Sequence, residues 1–217
     1  LSGANLKGTN LRFASLTESN LIETDLQGAD LSGADLSGAD LSGSELRQVN
    51  LTGANLKGAN LSGANLRWAT LTGAQLNCVN LSDAKLSGAD LTRANLFQAN
   101  LLNASLIYAD LSSACLIEVY WIGADLTGAT LTGAKVFGAS RLGIKTEALN
   151  CDWLDLSPNG DKTKIYTLNS GTIKSFFHKT LPKVKIIVDS SLDSPSHYAL
   201  AATYYQISKY LPCLLYT

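Results

Sequence analysis

Residues 29–38 read Ala29-Asp30-Leu31-Ser32-Gly33-Ala34-Asp35-Leu36-Ser37-Gly38, two copies of one five-residue unit. The unit extends in both directions. From Leu1 to Val136 every fifth residue is Leu except Trp121 and Val136, giving 26 leucines in 28 positions. Two residues before each centre, from Ala4 to Ala139, 21 of 28 residues are Ala and the rest are Thr, Ser or Val. The residue between them is mostly small and polar, as in Asn5, Asn10, Asp25 and Asn55. All fifteen glycines of residues 1–140 fall two places after a centre.

A period of five fits neither the 3.6 of an amphipathic helix nor the 2.0 of a half-buried strand. Apolar residues at that spacing would spiral around a helix and form no single face. A solenoid resolves the conflict: each pentapeptide makes one short side of a coil, Leu and Ala point inward, and stacked coils join by backbone hydrogen bonds. Small residues in the Ala slot leave room for the Leu layer, and Gly after Leu suits a corner that needs a positive φ.

The Ala-(Asp/Asn)-Leu-x-x unit, as in residues 29–33, resembles the repeat of the pentapeptide repeat family. The resemblance covers residues 1–140, about two-thirds of the chain. It implies an all-β solenoid, a right-handed quadrilateral β-helix with four pentapeptides per coil and about seven coils, followed by a small α/β C-terminal segment. At ~4.8 Å per coil the rod would be ~34 Å long. Some family members resemble duplex DNA in size and charge and act on DNA gyrase.

With four sides per coil, residues 20 apart stack into columns. Stacked Asn and Asp, such as Asp40, Asn60, Asn80 and Asn100, are expected to form side-chain ladders that stabilise the coil. Asp25, Asp30, Asp35, Asp40 and Glu45 carry acid in consecutive pentapeptides, so they should wrap the rod as a girdle. A phosphate-like mimic needs acid along a face instead. Residues 1–140 hold 12 acidic and 8 basic residues, net −4, a weak field for such a rod. A solvated acidic belt is the expected reading.

Outward positions become apolar late in the repeat. Phe97, Ile117 and Phe137 share one column; Leu102, Ile122 and Leu142 share the next; Tyr120 lies nearby. A monomer rarely leaves such a patch bare. It should be covered by the chain's own C-terminal tail, or meet another protein or a second copy. Trp121 would overpack a Leu slot, so either the wall deforms there or the indole leaves the core. Arg141 falls at the next centre after Val136 and cannot be buried unpaired, so coiling should end there. The chain lacks Met, and Leu1 starts in mid-register, so residues are expected to precede it.

Residues 141–160 are read as cap and linker and 161–217 as a small α/β tail. All four prolines lie in this part, with 9 basic and 6 acidic residues. Residues 147–156 should cap the last coil, and Ser157-Pro158-Asn159-Gly160-Asp161 should turn. Lys164–Leu168 reads as a strand, Ile173–His178 as a short helix, and Val184–Val188 as a buried strand. Ala199–Tyr210 has helical spacing, and 213–216 could form a second strand. Asp155, Ser157, Asn159 and Gly160 loosely match the start of a calcium loop, but Tyr166 stands where that loop needs Glu.

Several function classes drop out. Near-neutral charge, 17 basic against 18 acidic residues, argues against direct nucleic-acid binding. No apolar run is long enough to span a membrane, and a cytoplasmic location is expected. Cys78, Cys115, Cys151 and Cys213 have no metal-ligand spacing. His178 and His197 lie beside no nucleophile motif, and Asp189 at a strand end reads as a cap or turn former. No cofactor and no catalytic residue is expected. The sequence therefore reads as a non-enzymatic scaffold that presents a rigid surface to another protein. A DNA-mimicking gyrase modulator and a ligand-binding or enzymatic tail on a β-helical spacer are the alternatives.

Overall fold

The computed structural model describes residues 1–140 and 143–177. Residues 1–140 form a right-handed quadrilateral β-helix. Each pentapeptide closes a turn from the N–H of its small residue to the preceding Leu carbonyl, as from Ala4 to Leu1 at 3.0 Å. The coils are stitched at a sequence distance of twenty. Asn5 bridges Asp25 in parallel, Leu6 N–H donates to the Asp25 carbonyl at 2.7 Å, and Asp25 N–H donates to the Ala4 carbonyl at 3.0 Å. This pattern repeats on all four sides, so the polar residue between Ala and Leu is the strand of each side.

The third residue of every turn in residues 1–140 has a positive φ. Fifteen of these 28 positions are Gly and thirteen are not, among them Phe13 (φ 55), Trp68 (φ 60) and Tyr108 (φ 57). Left-handed backbone disfavours L-residues by roughly 1–2 kcal/mol each. The lattice imposes the angle anyway, because three neighbouring inter-coil bonds set the corner.

Inside, the centres from Leu21 to Leu131 are 0–1% exposed, as are nearly all of their Ala partners. Each Leu burial contributes at most ~1.5–3 kcal/mol. Where Thr or Ser fills an Ala slot, its hydroxyl takes a turn carbonyl: Thr9 donates to Leu6 at 2.6 Å and Ser44 to Leu21 at 2.7 Å. No buried hydroxyl is left wanting there.

Trp121 resolves in favour of a deformed wall. The indole stays inside, fully buried, and its Nε1–H donates to the Ser140 carbonyl. That carbonyl is the acceptor the lattice assigns to the Trp121 backbone N–H. The Ser140 N–H reaches Val119 at 3.3 Å, against 2.9 Å for the equivalent bond from Tyr120 to Ala99 one coil earlier.

The expected stop at Arg141 is corrected. Arg141 itself lies outside the described residues, but the ladder resumes with Asp125 bridging Lys145, Thr130 bridging Asn150 and Lys135 bridging Asp155. Gly143 (φ 69) and Ala148 (φ 53) keep the corner angle. The interior exchanges volumes: Ile144, Leu149 and Leu154 fill the small slot while Thr146 and Cys151 take the large one, and all five are buried. Core volume is conserved with the large and small positions swapped. Residues 147–155 are therefore lattice and not a cap.

At the end of the lattice, β1 (Trp153–Asp155) pairs antiparallel with β2 (Ile165–Thr167), and α1 spans Ser170–Phe177. Asp155 ties the hairpin. Its carboxylate accepts from the Ser157 N–H at 2.9 Å, the Ser157 hydroxyl and the Lys162 N–H at 3.0 Å. Burial pushes its pKa up, but those hydrogen bonds outweigh it and hold the group below the usual carboxylate value. Asn169 caps α1 reciprocally with Thr172, at 3.0 and 2.9 Å. Phe176 and Phe177 are buried, and the Phe177 ring meets Trp121 edge-on at 6.5 Å. Val184–Val188, Ala199–Tyr210, residues 213–216, Asp189, His178 and His197 lie outside the described residues.

Candidate interaction surfaces

The late apolar residues flank one side of the rod. The strand-like stretch 99–101 is bracketed by turns that start at Leu96 and Leu101, so Phe97 and Leu102 stand at its two edges. Twenty residues on, Ile117 and Ile122 take the same places, with Tyr120 between them in the Asn100 column. Tyr120 is 41% and Phe137 40% exposed, Ile117 is buried, and Phe97, Leu102 and Ile122 are half-buried. Leu142 lies outside the described residues.

Asp25, Asp30, Asp35 and Asp40 sit one per side around a single coil, with Glu45 above Asp25. Each Asp accepts the backbone N–H two residues on, at 3.0 Å. The next coil supplies side-chain amides: Asn50, Asn55 and Asn60 donate to Asp30, Asp35 and Asp40, and Asn65 donates to Glu45, each at 3.0 Å. The ladder continues from Asn80 to Asn60 at 3.1 Å and from Asn100 to Asn80 at 3.2 Å. Hydrogen bonds from Ser32, Ser37 and Ser42 are the main cause that holds the Asp30, Asp35 and Asp40 carboxyls below their ordinary value of 3.8. These carboxylates are working members of the wall.

A second set of features escaped the sequence reading. Non-glycine corners lay their side chains over the glycine of the following coil. Phe13 covers Gly33, Trp68 covers Gly88, Tyr108 covers Gly128, and Glu118 covers Gly138. Phe13, Trp68 and Tyr108 are 74%, 64% and 69% exposed. The signal was present as an aromatic residue followed by Gly twenty positions later. It is invisible when only the apolar columns next to the centres are read.

Between the last coil and the start of α1 lies a cavity of about 470 Å³, lined by Glu147, Leu149, Cys151, Asp152, Leu168 and Ile173 among others. Burial, with the Asp152 charge, pushes the Cys151 thiol up to about 12, so it is no nucleophile. Among the described residues no cluster of His, Cys, Asp or Glu is placed to hold a metal ion, and no helix is long and apolar enough to cross a membrane.

A coil lattice stitched at intervals of twenty, with Leu at its centres, is the architecture of pentapeptide repeat proteins. The pentapeptide repeat profile matches this chain in eight copies over residues 1–38, 34–73, 74–107 and 104–140. The chain belongs to the pentapeptide repeat family. Among solved structures it is similar to trypsin-treated QnrB1, a plasmid-mediated fluoroquinolone resistance protein, at 28% identity over 73% of this chain and 81% of that one, with a TM-score of 0.51. HetL, a pentapeptide repeat protein involved in heterocyst differentiation regulation in the cyanobacterium Nostoc sp. strain PCC 7120, matches at 28% identity over 71% and 91%, with a TM-score of 0.28. A thylakoid-lumen pentapeptide repeat protein of Arabidopsis thaliana matches at 38% identity over 46% and 67%, with a TM-score of 0.37. Among proteins of curated function none matches.

Proposed function

We propose that this chain is a non-enzymatic interaction module whose β-helix presents a stiff surface to another protein. The observation that carries this role is the side bracketed by Phe97, Ile117 and Phe137 on one edge and Leu102 and Ile122 on the other, with Tyr120 exposed between them. Earlier coils place Thr17, Ser37, Lys57 and Asn77 at one of these edges and Ile22, Ser42, Ser62 and Ser82 at the other. Apart from Ile22 the apolar character is confined to the late coils, on a wall already stitched by inter-coil backbone bonds such as Leu101 N–H to the Tyr120 carbonyl. Crosslinking with mass spectrometry in native lysate tests the role. Crosslinks from Lys135 to one recurrent protein that vanish in Tyr120→Asp with Phe137→Asp support it. Crosslinks confined to the chain's own residues 178–217 would replace the partner with the tail, and crosslinks between copies would replace it with a homodimer.

The similarity to QnrB1 favours a second role, modulation of DNA gyrase by an anionic surface. The acid of this chain encircles one coil and is hydrogen-bonded into the ladder, which weighs against a phosphate-like face. Inhibition of gyrase supercoiling that fades when Asp25, Asp30, Asp35 and Asp40 become Asn would support that role. No effect at micromolar protein would remove it.

A further inference from the structure

Trp68 and Tyr108 stand on one corner of the rod, two coils apart, with Gly88 between them. Their rings are seated alike. A β-carbon on Gly88 would fall 2.3 Å from Trp68 Cε3 and Cζ3, and one on Gly128 would fall 2.3 Å from Tyr108 Cε1. Each ring is therefore parked on a glycine, with its backbone in the same left-handed conformation, φ 60 and 57. Covering a glycine accounts for the contact but not for the aromatic character. Glu118 over Gly138 and Asn103 over Gly123 cover theirs with polar side chains. What the rings add is 64% and 69% exposed aromatic surface, fixed in place and repeated along the rod axis.

Two coils advance about 9.6 Å. A polyproline II helix repeats every three residues at ~3.1 Å each, about 9.3 Å per turn. Prolines at every third position would thus meet both rings in phase, in the way that such helices dock on aromatic side chains. The rings need no ordering on binding, and neither does the preformed ligand helix, so little conformational entropy is lost. Charge adds direction. Arg67 beside Trp68 and Lys85 on the intervening coil are exposed, and among the described residues neither enters an ion pair. We infer that this corner binds an extended proline-rich segment of a partner protein, with Pro at every third position and Asp or Glu between. The inference rests on the proposed interaction role and adds the chemistry of the partner.

Fluorescence anisotropy of a labelled peptide of Pro-Glu-Ser triplets against the full chain is the test. Saturable binding is expected, with a shuffled peptide of the same composition binding at least about fivefold more weakly. Trp68→Ala and Tyr108→Ala should each weaken binding about tenfold or more, equivalent to about 1.4 kcal/mol, with an unchanged circular dichroism spectrum. Arg67→Glu with Lys85→Glu should weaken binding and flatten its salt dependence. Absence of saturation at millimolar peptide, equal binding of the shuffled peptide, or unaffected aromatic variants would overturn the inference. So would retention of the chain on a β-glucan matrix without peptide binding. A partner crosslinked at the Tyr120–Phe137 side with no peptide binding overturns this inference and leaves the proposed function standing; loss of both removes both.

Discussion

The indole Nε1–H of Trp121 donates to the carbonyl of Ser140 and so substitutes for a backbone donor of the wall. The same side chain is fully buried and meets Phe177 at 6.5 Å. It is at once a core centre, a ladder donor and the seat of α1.

Replacement of Trp121 separates these roles. Leu is the residue of almost every other centre and returns the Ser140 carbonyl to the backbone N–H. Trp121→Leu should therefore lose less than about 2 kcal/mol, whereas Trp121→Ala, which leaves a void, should lose about 3–5 kcal/mol. Urea unfolding of both variants measures the difference. Equal losses would show that the indole bond is indispensable to the wall.

Acid should loosen the early coils. The folded-state pKa values of Asp30, Asp35 and Asp40 lie below 3.8, so folding favours the ionised form. That contribution is complete above the unfolded value and disappears as pH falls through the lowered folded values. Asp90 and Asp125 shift in the same direction. The melting temperature should drop between about pH 5 and about pH 2. The triple variant Asp30→Asn, Asp35→Asn, Asp40→Asn should show a visibly smaller drop, because Asn keeps an acceptor and loses the titration. An identical pH profile in the variant would assign acid sensitivity elsewhere.

Glycines at one backbone angle should differ in tolerance according to what covers them. Gly58 (φ +67) has open space around a β-carbon, and Gly88 (φ +68) has the Trp68 ring there. Gly58→Ala should cost about 1–2 kcal/mol for the left-handed backbone. Gly88→Ala should cost about 1 kcal/mol more, because the indole must leave its rotamer. In a Trp68→Ala background the two substitutions should converge, which a double-mutant cycle measures directly.

Ser44→Ala should be almost silent. The hydroxyl is buried and donates to the Leu21 carbonyl at 2.7 Å, but that carbonyl also accepts the Thr24 N–H at 3.2 Å. Removal leaves no orphaned acceptor and restores the residue the slot usually holds, so the change should stay within about 0.5 kcal/mol by thermal unfolding. A loss of 2 kcal/mol or more would mean the second bond does not suffice.

The lattice was readable because its two inward positions are chemically narrow: Leu at the centre, Ala or a small residue before the polar strand position. Reading failed where one requirement was met by different residues. At Ile144, Leu149 and Leu154 the large residue moves to the small slot, so a reader following the centres meets Arg141, Thr146 and Cys151 and stops too soon. Gly3 or Gly33 announces a positive φ, but Trp68 and Tyr108 hold the same angle with nothing local to betray it. The angle belongs to the inter-coil bonds, which no five-residue window contains. The side bracketed by Phe97 and Leu102 could be found from columns alone, whereas the burial of Ile117 required the packed neighbours.

The twenty-residue stitching has a kinetic consequence. Every coil closes onto the one before it, so no inter-coil ladder bond waits for a distant part of the chain, and the loop-closure penalty is the same at each coil. Growth of the rod should run like a zipper that can start at any well-formed coil. The displaced bond at Trp121 is then a natural pausing point, where the zipper can halt and from which the coils on either side can open independently.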